Sequence, residues 1–264
     1  MRDRRRSPDH RGGGQCPGTH RKTGADHDRR AVSAFVHVRL PALTPVPAAR
    51  AFVFDLDGVV VDSNGLHVDS WREVARRHGH PLADPDHIGK CGLRTLAVIR
   101  DLLRWPVSDA EARRIGLEKE EIYREWIREG GIRAISGAVE FIRRSRELGL
   151  LCAIGSSAPR ANVTLCLQTL GLEGEFHATV SGEDVTRGKP APDIFLAAAA
   201  ALKMPPAECV VFEDAPAGIA AAHAAGMRAV ALATSHPPGE LVGADRLATD
   251  FTGLDPLGIR NGEA

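Results

Sequence analysis

The chain has 264 residues, of which 43% are hydrophobic, and its formal net charge is zero. This length and composition suit one or two globular domains and exclude a fibrous or fully disordered chain. No apolar run approaches the ~18 residues that a transmembrane helix needs, so we expect no membrane span. The five cysteines are widely spaced, with no Cys-x-x-Cys pair. This pattern argues against a disulfide framework or a zinc site and favours a cytoplasmic location.

Charge is divided unevenly along the chain. Residues 1–50 carry 11 Lys or Arg against 4 Asp or Glu, whereas the remaining residues carry 23 against 30. The acidic remainder argues against nucleic-acid binding by the folded domain. Residues 1–50 are rich in Arg and Gly and begin without any apolar periodicity, so we expect a basic, disordered N-terminal segment. An arm that binds anionic partners is an alternative for this segment.

From residue 51 the sequence alternates between short apolar runs and helical patterns. The apolar runs, rich in β-branched residues, predict buried strands at 51–54, 150–154, 177–180, 209–212 and 228–232. The periodic segments predict helices at 137–148, 159–170, 193–203 and 216–225. This alternation predicts an α/β fold, in which a doubly wound parallel sheet of five strands carries helices on both faces.

The interval between the first strand and the helix at 137 has no strand pattern. Apolar residues such as Trp71 and Val74 recur there at helical spacing. A helical insert directly after the first strand lies over the carboxyl edge of the sheet, where open α/β sheets bind ligands. We therefore predict a helical cap domain at 66–134 and a core domain formed by 51–65 and 135–264.

Charged and hydroxyl side chains follow the predicted strands. The first strand is followed by Asp55 and Asp57, the second by Ser156 and Ser157, the third by Lys189, and the fourth by Glu213 and Asp214. Because the carboxyl ends of parallel strands meet at one edge of a sheet, we expect these groups to form a single site. A cluster of carboxylates repels itself unless a cation is bound, and Mg²⁺ prefers oxygen ligands of this kind.

This set of groups suits phosphoryl transfer. With Mg²⁺ and Lys189 screening the charge, Asp55 can attack the phosphorus of an anionic substrate as a nucleophile. Asp57 can protonate the leaving oxygen and later activate water. Ser156 can bind the phosphoryl oxygens together with backbone N–H groups at the start of the following helix, and Ser157 is a further candidate for substrate binding.

The order of these motifs resembles the haloacid dehalogenase superfamily. The segment DLDGVVVDS at 55–63 is similar to its first motif, and Ser156, Lys189 and the pair Glu213-Asp214 are similar to the next three. The resemblance covers 51–250 and implies a Rossmann-like core with an α-helical cap. The segments GKPAPDIF and FEDAPAGIAAAHAAGM are most similar to the branch of beta-phosphoglucomutases and sugar-phosphate phosphatases.

The resemblance also implies roles in metal binding. Asp55 and Asp214 would bind Mg²⁺ through their side chains, Asp57 through its backbone carbonyl and Glu213 through a water molecule. The second aspartate of the first motif, Asp57, is a feature of the phosphatases and phosphomutases of the superfamily, whereas its dehalogenases lack it.

Three side chains of the predicted cap are candidates for substrate binding. His67, at the start of the first cap helix, resembles a histidine that works near the substrate in the mutase branch. Arg94 and Lys90 can supply positive charge above the phosphate, although charged surface side chains of this kind also occur where no ligand binds.

We predict a Mg²⁺-dependent phosphatase that hydrolyses a small phosphorylated metabolite, a sugar or polyol phosphate, through an aspartyl-phosphate intermediate. A phosphomutase similar to beta-phosphoglucomutase is the alternative. After the serine of the second motif that family has Ser-Lys-Asn, whereas this chain has Ala158, Pro159 and Arg160. The difference removes polar groups that would orient a sugar, which favours the phosphatase.

A second alternative is a non-catalytic phospho-receiver module. Receiver domains also combine Asp, Ser or Thr, and Lys around Mg²⁺, but their phosphorylated Asp does not follow the first strand. As partners we expect the small phosphorylated metabolite, with no nucleic acid on the folded domain and no membrane. We expect the chain to be a monomer or a weak homodimer.

Overall fold

The computed structural model describes residues 47–262, apart from the side chains of residues 89 and 90. Most of the predicted basic segment, 1–46, therefore lies outside the described residues. Six parallel strands form one sheet in the order β3-β2-β1-β4-β5-β6. The strands are β1 (Ala51–Phe54), β2 (Leu151–Gly155), β3 (Ala178–Val180), β4 (Cys209–Glu213), β5 (Arg228–Leu232) and β6 (Arg246–Ala248).

Helices cover both faces of the sheet. The helices of the described chain are α1 (Asn64–His78), α2 (Pro85–Lys90), α3 (Thr95–Ala97), α4 (Asp109–Gly130), α5 (Ala138–Glu147), α6 (Arg160–Leu170), α7 (Asp193–Leu202), α8 (Pro216–Ala224) and α9 (Pro256–Asn261). Helices α5, α6 and α9 contribute to the core on one face, and α7 and α8 to the core on the other. None of the helices within 47–262 is long and apolar enough to cross a membrane.

The predicted doubly wound parallel sheet is confirmed, with one strand more than the sequence indicated. The strand order runs outward from the centre in both directions, through β2 to β3 and through β4 to β6. The additional strand, β6, has three residues, none of them buried. It therefore lacks the buried apolar run by which the other strands were predicted. The four predicted core helices are confirmed to within one residue at each end.

The two central strands, β1 and β4, are buried along their whole length. They pair in parallel with Phe54 opposite Phe212. Because helices cover both faces, these strands are apolar without alternation. On the α5 side the rings of Phe54 and Phe212 stack with centroids 4.8 Å apart, and Phe141 packs 5.2 Å from Phe212. This packing fixes the carboxyl ends of β1 and β4 side by side.

Helices α1 to α4 form an insert, residues 64–130, between β1 and α5. The insert has a core of its own, in which Trp71 and Ile115 are buried. Its longest helix, α4, begins after Ser108, whose hydroxyl accepts a hydrogen bond from a backbone N–H of the first turn. The predicted helical insert is confirmed, whereas its boundaries as a separate cap domain, 66–134, stay a prediction.

Candidate active site

Three carboxylates meet where the central strands end. Asp55 directly follows β1, Glu213 is the last residue of β4, and Asp214 follows it. Each can offer an oxygen within 4.8 Å of the others, and all three side chains are buried. We call Asp55, Glu213 and Asp214 the acidic cluster. The convergence results from the parallel pairing of β1 with β4, which brings the ends of the two strands to the same edge.

Lys189 supplies a positive charge inside the acidic cluster. It lies in the loop after β3 and is only 4% exposed. Its Nζ is 2.9 Å from Asp55 Oδ1 and forms a second ion pair with Glu213 Oε1. Burial acts to lower the pKa of Lys189, but attraction to both carboxylates raises this pKa above its usual range. Lys189 therefore stays an ammonium and holds Asp55 and Glu213 together.

The acidic cluster carries more negative charge than Lys189 neutralises. Burial raises the pKa of Asp55 to about 7; Lys189 opposes this rise, and repulsion from Glu213 adds to it. Burial and the same repulsion raise the pKa of Asp214 well above its usual range. Asp55 Oδ1 is buried and, among the described residues, accepts no hydrogen bond of good geometry, although Lys189 is close. A hard divalent cation such as Mg²⁺ fits this set of oxygen donors.

Asp57 lies apart from the acidic cluster and faces the insert. Its Oδ1 accepts hydrogen bonds from Ser63 Oγ at 2.6 Å and from His67 Nε2 at 3.0 Å, and Tyr123 Oη lies 3.4 Å away. Burial acts to raise the pKa of Asp57, but His67 and Ser63 lower it to about 2. The carboxylate is therefore ionised and held in one orientation by its partners.

His67 connects Asp57 to a lysine that sequence reasoning missed. Lys119 Nζ lies 2.8 Å from His67 Nδ1, and the imidazole stacks on the ring of Tyr123 at 4.3 Å. An ammonium has no acceptor, so Nδ1 must accept from Lys119, and Nε2 must carry the proton that it donates to Asp57. Glu120 lies 3.3 Å from Lys119 Nζ and balances its charge. Lys119 and Glu120 looked like ordinary charges on a helix, and nothing in their spacing marked them.

The predicted serines lie on the same cavity as these carboxylates. Ser156 directly follows β2 and is 1% exposed, and its hydroxyl accepts a hydrogen bond from the N–H of Ala158 at 3.1 Å. A cavity of about 60 Å³ is lined by Ser156 and Ser157, by Asp55 and Asp214, and by the insert residues His67, Lys119 and Glu120 among others. The cavity therefore has carboxylates on its floor, hydroxyls on one side and the insert above.

Of the other two cap candidates, Arg94 is described and does not line this cavity. Arg94 donates to the backbone carbonyls of Val185 at 2.8 Å and Thr186 at 3.1 Å. Its guanidinium thus attaches the insert to the loop that leads to Lys189, and it does not line the cavity that contains Asp55. The side chain of Lys90 lies outside the described residues, so its predicted role stays a prediction.

The loop after β5 supplies further contacts that sequence reasoning missed. Thr234 donates a hydrogen bond to the carbonyl of Gly58, and Ser235 donates one to Asp214 Oδ2. His236 Nδ1 lies 3.0 Å from the backbone carbonyl of Asp214 and donates to it. Three consecutive residues thus contact the first and fourth motifs. The preceding strand is an ordinary buried run, and it gave no sign that its loop reaches the site.

An open parallel sheet with buried carboxylates at its carboxyl edge, beneath a helical insert, defines a Rossmann-like α/β enzyme. Residues 49–226 match the haloacid dehalogenase-like hydrolase family. The chain therefore belongs to this family and is a hydrolase. The alternative of a non-catalytic receiver module gains no support from this match.

Similar proteins include enzymes that act on phosphorylated compounds. The validoxylamine A 7'-phosphate phosphatase of Streptomyces hygroscopicus subsp. limoneus is 31% identical over 210 residues, which is 76% of this chain and 93% of that protein. The phosphorylated carbohydrates phosphatase of Thermotoga maritima is 31% identical over 185 residues, 68% of this chain and 83% of that protein. The crystal structure of beta-phosphoglucomutase from Clostridium difficile superposes with a TM-score of 0.73 at 25% identity, covering 81% of this chain and 97% of that one.

Proposed function

We propose that this enzyme is a Mg²⁺-dependent phosphatase that hydrolyses the phosphate ester of a small sugar or polyol. The observation that carries the proposal is the acidic cluster with Lys189 buried inside it, because this set of charges suits a cation and a phosphate together. The names of two similar proteins, the phosphorylated carbohydrates phosphatase and the validoxylamine A 7'-phosphate phosphatase, support a phosphorylated carbohydrate or similar metabolite as the substrate class.

In the first step Asp55 acts as the nucleophile. A carboxylate oxygen of Asp55 forms a bond to phosphorus while the bond from phosphorus to the alcohol oxygen breaks, and Asp57 gives that oxygen its proton. Bound Mg²⁺ would supply charge screening between Asp55 and the phosphate, and Asp55 and Asp214 are the side chains proposed to hold it. Lys189 keeps Asp55 in place and adds further screening.

In the second step Asp57 acts as the base. It takes a proton from water, whose oxygen attacks phosphorus and releases Asp55 and inorganic phosphate. Because the pKa of Asp57 is lowered to about 2, the carboxylate is ionised at neutral pH and can accept this proton. The first step needs the protonated form, and the negative charge of a bound phosphate favours it by raising the pKa of Asp57.

Size and polarity of the cavity support a small, hydroxyl-bearing substrate. The cavity is small, with a volume of about 60 Å³. Insert residues Lys119 and Glu120, together with Asn162 of α6, line it with donors and acceptors. Such groups suit the hydroxyls of a sugar or polyol better than an apolar alcohol.

A phosphomutase shares the first step and is the second candidate, because the fold is similar to a beta-phosphoglucomutase. The residues after Ser157 favour hydrolysis. Arg160 is exposed and forms an ion pair with Asp184, and it does not line the cavity. Ala158 and Pro159, which do, offer no polar side chain to a sugar.

The test is a panel of phosphorylated sugars, polyols and glycolate with Mg²⁺, in which free phosphate and isomerised product are both measured. We expect free phosphate, and we expect Asp55→Asn to reduce its release by at least about a thousandfold, as removal of a nucleophile does. The matched control is Asp69→Asn, which alters an exposed carboxylate of α1. Near-normal turnover in Asp55→Asn would overturn the mechanism, and isomerised product without free phosphate would identify a mutase.

A further inference from the structure

Ser235 stands between the first helix of the insert and the acidic cluster. Its side chain is buried in the loop after β5, with 7% exposure. Its hydroxyl contacts Asp214 Oδ2, and Asn64 Nδ2 lies 2.5 Å from Ser235 Oγ. Asn64 is the first residue of α1. A chain of side-chain hydrogen bonds therefore runs from the insert through Ser235 to Asp214.

The direction of these hydrogen bonds follows from the groups involved. The Ser235 hydroxyl donates to Asp214 Oδ2, and the amide nitrogen of Asn64 can only donate. The single proton of the Ser235 hydroxyl therefore points to Asp214, and its oxygen accepts from Asn64. Asn64 and Asp214 together fix the hydroxyl, so it binds one oxygen of Asp214 in one orientation.

This contact leaves the other oxygen of Asp214 available. Within the described part of the chain, Asp214 Oδ1 makes no hydrogen bond, and Asp214 can offer an oxygen to a cation shared with Asp55 and Glu213. His236 holds the backbone of the same residue at its carbonyl. Side chain and backbone of Asp214 are thus both held by the loop after β5.

We propose that Ser235 is a positioning residue, which orients Asp214 for the cation, and that Asn64 orients Ser235. The proposal rests on the proposed function, in which the acidic cluster binds Mg²⁺. Groups that hydrogen-bond to a metal ligand restrict its orientation, and their removal weakens metal binding without removing a ligand. These two hydrogen bonds also join the start of the insert to the metal site, so the position of α1 affects how Asp214 is held.

The experiment measures the Kd for Mg²⁺ by isothermal titration calorimetry on the full chain without substrate. Ser235→Ala should raise the Kd by about 10-fold or more, the usual effect of losing such a hydrogen bond to a ligand. Ser235→Thr, which keeps the hydroxyl, should bind Mg²⁺ more tightly than Ser235→Ala. Ser145→Ala is the matched control, because it removes a buried hydroxyl that donates to Phe141 in α5, and its Kd should equal that of the wild type.

A double variant tests whether the two hydrogen bonds, from Asn64 to Ser235 and from Ser235 to Asp214, act as a unit. Asn64→Ala should also raise the Kd, and Asn64→Ala combined with Ser235→Ala should bind Mg²⁺ no more weakly than Ser235→Ala alone, because both changes break one chain. If circular dichroism shows that Ser235→Ala does not fold, Asn64→Ala decides.

Three results would overturn the proposal. They are a wild-type Kd in Ser235→Ala, a wild-type Kd in Asn64→Ala, and binding by Ser235→Thr as weak as that of Ser235→Ala. A wild-type protein that binds no Mg²⁺ would overturn the proposed function as well, so the two failures are distinguishable.

Discussion

Gly58 is the residue at which the backbone of the first motif approaches the acidic cluster. Its φ of +72° lies in the left-handed region, which favours glycine. A Cβ on this residue would overlap the carboxylate of Asp214 and lie 2.5 Å from Ser235 Oγ. A side chain at position 58 therefore faces two obstacles, the backbone conformation and the lack of space.

A pair of substitutions separates these two obstacles. Gly79→Ala changes a glycine with a φ of +67° that has open space around it, so we expect the backbone strain alone, about 1–2 kcal/mol. Gly58→Ala should reduce the free energy of unfolding by a further ~1–3 kcal/mol, because Asp214 or the backbone must move. Urea denaturation measures both values. Equal losses in the two variants would show that the space around Gly58 does not matter.

The sequence predicted the site residues that follow β1 to β4, and also His67 of α1, but it missed Lys119 of α4 and Ser235 of the loop after β5. Asp55 and Asp214 could be placed because the order of apolar runs determines which strand ends meet. Lys119 and Ser235 reach the same site through the packing angle of a helix and the path of a loop. The sequence pattern contains neither the packing angle of the helix nor the path of the loop, because both depend on which face an element turns toward the core.

At the scale of elements, Asn162 is the residue that joins the insert to the core helix α6. Its Nδ2 donates to Glu120 Oε2 at 2.6 Å, and its Oδ1 accepts from Arg124 Nη1 at 2.7 Å. Glu120 and Arg124 are one turn apart on α4. Asn162 is 1% exposed, so both hydrogen bonds are shielded from water and link α4 to α6 at one point.

Removal of this link should destabilise the protein. Asn162→Ala removes one hydrogen-bond partner from each of two charged side chains, while Glu120 keeps Lys119 and Arg124 keeps Glu121. We expect a loss of about 1–2 kcal/mol in the free energy of unfolding. Thr169→Ala, on the same helix, removes an exposed hydroxyl that donates to Leu165 and should change stability by less than ~0.5 kcal/mol. Urea denaturation compares the two. A loss in Asn162→Ala no larger than in Thr169→Ala would contradict a structural link between α4 and α6.

The elements themselves were predictable in proportion to their burial. The fully buried runs of β1 and β4 and the periodic α7 appear in the sequence as uninterrupted or regular apolar patterns. The exposed edge strand β6 has no such pattern. An element whose residues are not buried has no apolar pattern from which the sequence could predict it.

At the scale of the whole molecule, ionisation of the buried carboxyls of the acidic cluster reduces the stability of the fold. Burial raises the pKa of Asp55 from its ordinary value of 3.8 to about 7, and that of Asp214 rises in the same direction. Above pH 3.8 the folded state therefore retains protons that the unfolded state has lost. The free energy of unfolding must then fall as pH rises through about 7, because ionising these carboxyls costs more in the folded protein.

Bound Mg²⁺ should weaken this pH dependence, because a cation stabilises the ionised carboxylates that destabilise the free site. We expect urea denaturation with a chelator to give a lower free energy of unfolding at about pH 8 than at about pH 5, and saturating Mg²⁺ to reduce or remove the difference. Asp55→Asn, which cannot ionise, should show a smaller difference with the chelator than the wild type. The other titrating groups are the same in the measurements with chelator and with Mg²⁺. An equal pH dependence with and without Mg²⁺ would therefore contradict cation binding at the acidic cluster.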